Sequence, residues 1–209
     1  MKAEINFKPW IGEKYLSEGF KGKRILVLGE SVHCGDQCSP CCGCYNFTID
    51  CVKTYVENNV YDETGAFRRW TNTYKKFESA LVGESVPVEE RQNIWNSIAF
   101  YNYFQTALDE ARQPLGGDLE YDRATECLTQ IINELKPKGV IVWGMRLWRI
   151  LPDKNWTETE PFINEGLKSP TGFYTINNRK FPFMAIYHPS VGFSWDKWHV
   201  NIKRFIEMI

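Results

Sequence analysis

The chain has 209 residues, is 15% aromatic with eight tryptophans, and carries a formal net charge of −1. Its length suffices to bury a substantial core in one domain, taken here as residues 1–209. The near-neutral balance excludes a polybasic tail, so any nucleic-acid contact must come from a local patch.

The first predicted element is a strand over Arg24–Gly29, apolar without alternation, as expected where both faces are covered. Trp70, Tyr74, Phe77 and Leu81 then recur at helical spacing and predict one buried helix face, with Arg68, Arg69, Lys75 and Lys76 on a cationic side. A second strand is predicted over Ile94–Tyr101, rich in aromatic and branched residues. Ala124, Leu128, Ile131 and Leu135 predict another helix, which Pro137 and Gly139 end. Gly139–Gly144 reads as the third strand, with Arg146 beginning the next helix. Residues 155–180 are rich in turn formers, including Gly166 and Asn177-Asn178, and predict a hairpin or excursion. The fourth strand covers Phe181–Tyr187, and Val200, Phe205, Ile206 and Ile209 close the chain as a short amphipathic helix.

Strands separated by helices argue for a parallel sheet between helical layers. Ligands of such sheets bind outside the carboxyl ends of the strands, where the loops converge. All four predicted strands end in polar or turn-forming residues: Glu30, Ser31 and His33; Asn102 and Gln105; Trp143-Gly144 with Arg146; and His188-Pro189-Ser190. That coincidence predicts a pocket at one sheet edge.

The segments "ILVLGES", "FYNYF", "LKPKGVIVWGMRLW" and "YHPS" occur in an order that resembles the uracil-DNA glycosylase superfamily. The resemblance runs from about Lys23 to the C-terminus and is closer to a bacterial branch whose first motif reads Gly-Glu-Ser. It implies an α/β fold, a three-layer α/β/α sandwich around a four-stranded parallel sheet. It also implies cleavage of the bond between sugar and base after the nucleotide is flipped into a pocket. His188 matches the family histidine that stabilises negative charge on the departing base, and Ser190 the serine at a flanking phosphate. Gly29 belongs to the first motif at the base-binding edge, Asn102 matches the amide that reads the base edge, and Phe47 is the nearest candidate for the stacking aromatic. Ser31 stands where the most active relatives place a water-activating Asp, and Glu30 matches an acidic residue able to orient water. The loop after His188 departs from the family pattern; Phe193 or Trp195 is the apolar candidate there for a wedge between bases.

Each of these residues also has a plainer reading. His188 before a proline can cap a turn, Asn102 can tie a loop to the sheet, and Ser31 can be the N-cap of a following turn. Phe47 can belong to the core, Trp195 and Trp198 can pack on the last helix, and the cationic side can be a solvated face. His33 and His199 read as surface residues.

The N-terminus, Met1 to Asn6, has no apolar run of secretory type, and no stretch approaches the ~20 apolar residues of a membrane span. A cytoplasmic protein without a membrane partner is therefore expected, with its seven cysteines reduced or metal-bound. Six of them, Cys34, Cys38, Cys41, Cys42, Cys44 and Cys51, crowd one stretch, while Cys127 sits on an apolar helix face. Cys38 and Cys41 have the spacing of a zinc or iron-sulfur half-site, and a second half could come from Cys44 with Cys51 or from Cys34 with His33. A structural metal, a labile disulfide and free thiols all remain open.

Three functions follow as expectations: a DNA glycosylase-like hydrolase acting on a deaminated or damaged base such as uracil, a non-catalytic DNA- or nucleotide-binding module, and a hydrolase of free nucleosides.

Overall fold

The computed structural model describes residues 3–33, 44–108, 117–190 and 192–209. In chain order the elements are β1 (Trp10–Ile11), β2 (Ile25–Gly29), α1 (Phe47–Val56), α2 (Thr71–Val82), α3 (Val88–Asn96), β3 (Ala99–Asn102), α4 (Gly117–Leu135), β4 (Gly139–Trp143), α5 (Met145–Ile150), β5 (Trp156–Asn164), β6 (Leu167–Ile176), β7 (Arg179–Ile186) and α6 (Trp195–Met208). The strands form one mixed seven-stranded sheet in the order β1-β3-β2-β4-β7-β6-β5.

The centre of that sheet, β3-β2-β4-β7, is parallel throughout and corresponds to the four strands read from the sequence. The expectation of a sheet limited to four parallel strands is corrected at both edges. β1 joins β3 antiparallel, and the β5-β6 hairpin adds two antiparallel strands beside β7. β5 is mostly exposed and β1 only two residues long, so neither shows the apolar run of a buried strand. The turns of this region do have a chain-level signal. Asn177 and Asn178 between β6 and β7, and Glu165 and Gly166 between β5 and β6, all have positive φ, which a two-residue hairpin turn requires.

The second predicted strand begins too early. Residues through Asn96 belong to α3, which starts after Pro87 with Glu89 and Glu90 in its first turn. Ser97 closes the helix, its N–H and its hydroxyl both donating to the Ile94 carbonyl (3.0 and 2.6 Å). Trp95 is fully buried from the helix side, and an apolar run this short does not distinguish a buried helix end from a strand.

Side chains alternate across the sheet, and the central strands sort into two hydrophobic clusters. Ile25, Val27, Phe100, Ile141, Trp143, Met184 and Ile186 pack with residues of α1, α2, α3 and α6. Leu26, Leu28, Tyr101, Val140, Val142, Phe183 and Ala185 pack with residues of α4 and α5. Burial on both faces accounts for the unbroken apolar sequence of β2 and β4. α2 ends at Gly83, whose φ of 100° is left-handed and whose N–H donates to the Ser79 carbonyl (2.8 Å). A Cβ at Gly83 would meet the His199 ring at 2.6 Å. That ring sits with Nδ1 2.9 Å from the Ala80 carbonyl, so His199 ties α6 to α2 and is not the free surface residue expected. No described helix is long and apolar enough to cross a membrane.

Candidate functional site

The parallel register brings the carboxyl ends of four strands together. Gly29 lies opposite Asn102, Leu28 opposite Val142, and Trp143 opposite Ile186. The residues that follow these ends are therefore neighbours along one edge, in the order Asn102, Glu30, Gly144, His188. Backbone bonds knit the first two loops. Tyr103 N–H donates to Gly29 O, Phe104 N–H to Glu30 O, and Leu108 N–H to Val32 O, each at 2.9 Å.

Asn102 is 6% exposed, and its Nδ2 donates to Thr48 Oγ1 (3.0 Å) at the start of α1. Its Oδ1 has no hydrogen-bond partner among the described residues, yet is not among the sealed, unpartnered polar atoms. The carboxamide lies across β2: a Cβ at Gly29 would meet Oδ1 at 2.6 Å and the Phe100 ring at 3.0 Å. The glycine is what lets the amide stay there. Gln105 holds the loop behind, donating from Nε2 to Asn102 O (2.9 Å) and accepting from Phe7 N–H (3.0 Å).

Phe47 is the first residue of α1, beside Thr48. It is half-buried and belongs to neither hydrophobic cluster.

Glu30 faces Arg146 on α5. Arg146 Nε reaches both carboxylate oxygens (2.8 and 3.0 Å), and Nη2 also donates to Oε1. This bidentate pair holds the Arg146 pKa above its usual value and fixes the acid in place. The carboxylate is thereby held in one orientation by the guanidinium. Ser31 is half-buried and makes no hydrogen bond among the described residues.

His188 follows β7. Its ring stands edge-on to Trp143 (centroids 6.0 Å) and packs over Gly144, where a Cβ would lie 3.6 Å from the His188 Cβ. Gly144 has a φ of 103° and no room for doubt about residue type, since that backbone opens α5 directly beneath the imidazole. Nδ1 of His188 lies 3.0 Å from Ser190 Oγ. The ring reaches solvent, but the atoms packed around it cost its charged form hydration and lower its pKa. Glu30 pulls the pKa upward and His33 pushes it down. His33 has a lowered pKa for the same first reason, with Glu30 raising it and Arg146 lowering it. The two imidazoles and the Glu30–Arg146 pair thus share one electrostatic neighbourhood.

Compared with models of known protein families and with curated proteins, the chain matches none.

Several expectations are corrected by packing. Phe193 is 6% exposed and stacks on Trp198 (5.8 Å, 5°) within the core, so it is not available as a wedge. Trp195 opens α6 and is half-buried against the same cluster. Ser190 is exposed, but its hydroxyl faces His188 and its carbonyl accepts from Lys76 Nζ, so it positions the imidazole. Cys34, Cys38 and Cys41 of the proposed metal set lie outside the described residues. Cys44 precedes α1, its carbonyl accepting from Phe47 N–H (2.9 Å). Cys127 is buried, as its apolar setting predicts.

The site residues missed from sequence are Thr48 and the role of Arg146. Thr48 carries no motif, and its link to Asn102 exists only in three dimensions. Arg146 stood at a strand exit, which was the available signal. A separate cavity of about 210 Å³ lies between α4 and β6, lined by Thr129, Ile132, Tyr174 and Ile176. Tyr174 and Ile176 pair with the first half of β7, so that cavity opens at the opposite end of the sheet from His188.

Proposed function

We propose that this chain is a hydrolase of the N-glycosidic bond of a flipped deaminated or damaged base, uracil-like in its edge, and that it belongs with the uracil-DNA glycosylase superfamily as a three-layer α/β/α sandwich. The observation that carries the reading is the placement of an amide oxygen without a partner among the described residues and an imidazole of lowered pKa along one edge of parallel strand ends. Asn102 Oδ1 is open for an N–H of a base, and its carboxamide is held by Thr48. His188 has its pKa lowered, and Nδ1 is engaged with Ser190.

The chemistry follows from that pairing. When the glycosidic bond breaks, its electron pair leaves with the base and the sugar becomes an oxocarbenium ion. With the Ser190 hydroxyl donating to Nδ1, Nε2 of His188 carries the ring proton and can donate to the base oxygen on which charge accumulates. A neutral donor strengthens its bond as that charge grows, which favours the transition state over the ground state. Water then adds to the sugar carbon and gives up a proton, and the base anion takes one up. Glu30 and Ser31 line the edge from which that water approaches; with Glu30 paired to Arg146, they position water and do not deprotonate it.

The same pairing favours a second reading, a module that binds a base or nucleotide without cleaving it. Glu30 is neutralised by Arg146, and a serine stands at position 31 where an activating acid would be.

The test is release of uracil and other deaminated bases from single- and double-stranded oligonucleotides. Wild type is expected to yield abasic product, and His188→Ala to lose at least a hundredfold. Binding without abasic product by wild type selects the second reading. If wild type and His188→Ala neither bind nor cleave any deaminated base, both readings fail.

A further inference from the structure

Residues 57–70, between α1 and α2, take no part in the site above, yet they form an ordered hairpin. Tyr61 and Phe67 are antiparallel bridge partners, Asp62 N–H donates to Ala66 O (2.9 Å), and Arg68 N–H to Val60 O (2.8 Å). One Asp62 carboxylate oxygen accepts from the N–H groups of Thr64 and Ala66 (2.9 Å each) and from Thr64 Oγ1 (2.6 Å). These bonds lower the Asp62 pKa and occupy its charge within the turn.

This fixed backbone holds aromatic rings out in water. Tyr61 is 62% exposed, Phe67 43% and Trp70 38%, and the first two meet edge to face at 5.8 Å. The other strongly exposed aromatics among the described residues are Tyr45 and Tyr187, which adjoin the α1 start and His188. Arg68 and Arg69 follow Phe67 directly in the chain, and Glu57, Asp62 and Glu63 lie on the same hairpin. Among the described residues, Arg68, Arg69, Lys75 and Lys76 form no ion pair. Arg68 Nε donates to the carbonyls of Asn59 and Tyr61 (3.2 Å each), which orients its guanidinium.

The hairpin is tied to the site through the core. Trp70 packs on buried Tyr74 (centroids 5.6 Å), Tyr74 on buried Trp143 (5.8 Å), and Trp143 on His188 (6.0 Å). Six residues along α2 carry the chain from Trp70 to Lys76, roughly 9 Å at about 1.5 Å per residue. Lys76 Nζ then donates to the Ser190 carbonyl in the His188 turn.

We propose that this hairpin and the first turns of α2 form a docking platform for single-stranded nucleic acid that leads an unpaired base toward His188. Unpaired bases expose π-faces that stack on such rings, and Arg69 with the oriented guanidinium of Arg68 supplies cations for the phosphates. A protein-binding core would be depleted of lysines such as Lys75 and Lys76, although it accommodates arginines. The direction toward His188 rests on the proposed base site; the platform itself does not.

The test uses fluorescence anisotropy with a labelled, unmodified oligothymidylate, which contains no base to be released. Wild type is expected to bind, with affinity falling steeply as salt rises. Tyr61→Ser with Phe67→Ser is expected to weaken binding at least tenfold, as is Arg69→Glu alone, while Lys203→Ala on α6 leaves it unchanged. Thermal melts check that the variants fold; if the double variant does not, Arg69→Glu decides. No binding by wild type, equal binding by the variants, or equal affinity for duplex of the same length overturns the proposal, and leaves the rings to hairpin packing or a protein partner. Intact oligonucleotide binding together with absent base release would instead count against the His188 reading and leave the platform standing.

Discussion

The Asn102 side-chain oxygen occupies the space beside Gly29, 2.6 Å from where a Cβ would be. The glycine and the amide are therefore one feature, and Thr48 completes it by accepting from Nδ2. Gly29→Ala is expected to displace the carboxamide and break the Thr48 bond, lowering affinity for a uracil-like base at least tenfold. The overpacked strand also loses about 1–3 kcal/mol of stability. Thr48→Val, which fits the space but cannot accept, should reproduce much of the affinity loss at smaller cost to stability. Calorimetric titration with the free base, alongside urea unfolding, separates the two effects. Unchanged affinity in Gly29→Ala would mean that Asn102 does not read the base.

His188 carries a pH signature of the proposed role. Its folded pKa lies below the usual 6.5, chiefly because its charged form loses hydration. The neutral ring thus prevails above that lowered value, and base release is expected to persist down to pH 6.5 and fall only below it. The stability sign agrees. Between the lowered folded pKa and 6.5 the unfolded chain binds more protons, so this group's contribution is lost as pH falls through that window. NMR titration of the imidazole should place its midpoint below 6.5 in wild type. Ser190→Ala is expected to reduce kcat more than KM, since the ring stays but its tautomer is no longer fixed. A His188 midpoint above 6.5 would remove the neutral donor from the mechanism.

The central strands were legible because burial on both faces leaves a continuous apolar signal, and their polar exits marked the edge along which Asn102, Glu30 and His188 lie. What stayed hidden has a physical cause in each case. β5 carries alternating Thr and Glu on an exposed edge and resembles a loop in composition. Trp95 satisfies a helix and a strand pattern equally, and only Glu78 on α2, which accepts its indole N–H (3.1 Å), explains the helix side. Phe193 looked available because it follows a proline-serine turn, yet Trp198 one helical turn into α6 covers it face to face. Thr48 became part of the site through a contact spanning the chain from α1 to β3, which no local spacing encodes.

Arg146 holds two roles that one substitution removes together. It pairs with Glu30 and it opposes protonation of His33. Arg146→Gln leaves Glu30 as an unpaired negative charge beside both imidazoles. The His33 midpoint is expected to move upward, measured by the same NMR titration. Arg146 is well exposed, so the stability loss should stay within about 1 kcal/mol. A change in midpoint without a change in melting temperature would identify the pair as a device for setting charge at the site. Midpoints that do not move would show that the imidazoles are insulated from it.

Away from the site, Glu78 is buried between α1, α2 and α3. Tyr55 OH donates to its Oε1, Trp95 Nε1 to its Oε2 (3.1 Å), and Arg91 Nε approaches at 3.5 Å without making a hydrogen bond. The nearby Arg91 and Lys75 favour the carboxylate, as do the two hydrogen bonds, but burial outweighs them and raises the pKa to about 7. The folded chain therefore binds a proton that the unfolded chain, with a usual value of 4.5, has already released. Stability from this group is complete below pH 4.5 and is lost as pH rises through 7, by on the order of 3 kcal/mol. Glu78→Gln should abolish that component. The difference in unfolding free energy between variant and wild type is then near its smallest at pH 5 and shifts in the variant's favour by pH 8, as urea titrations at the two pH values would measure. Other carboxylates titrate identically in both proteins and cancel in the comparison. A difference that stays constant from pH 5 to pH 8 would mean that Glu78 is already ionised in the fold, with Arg91 as its true counter-ion.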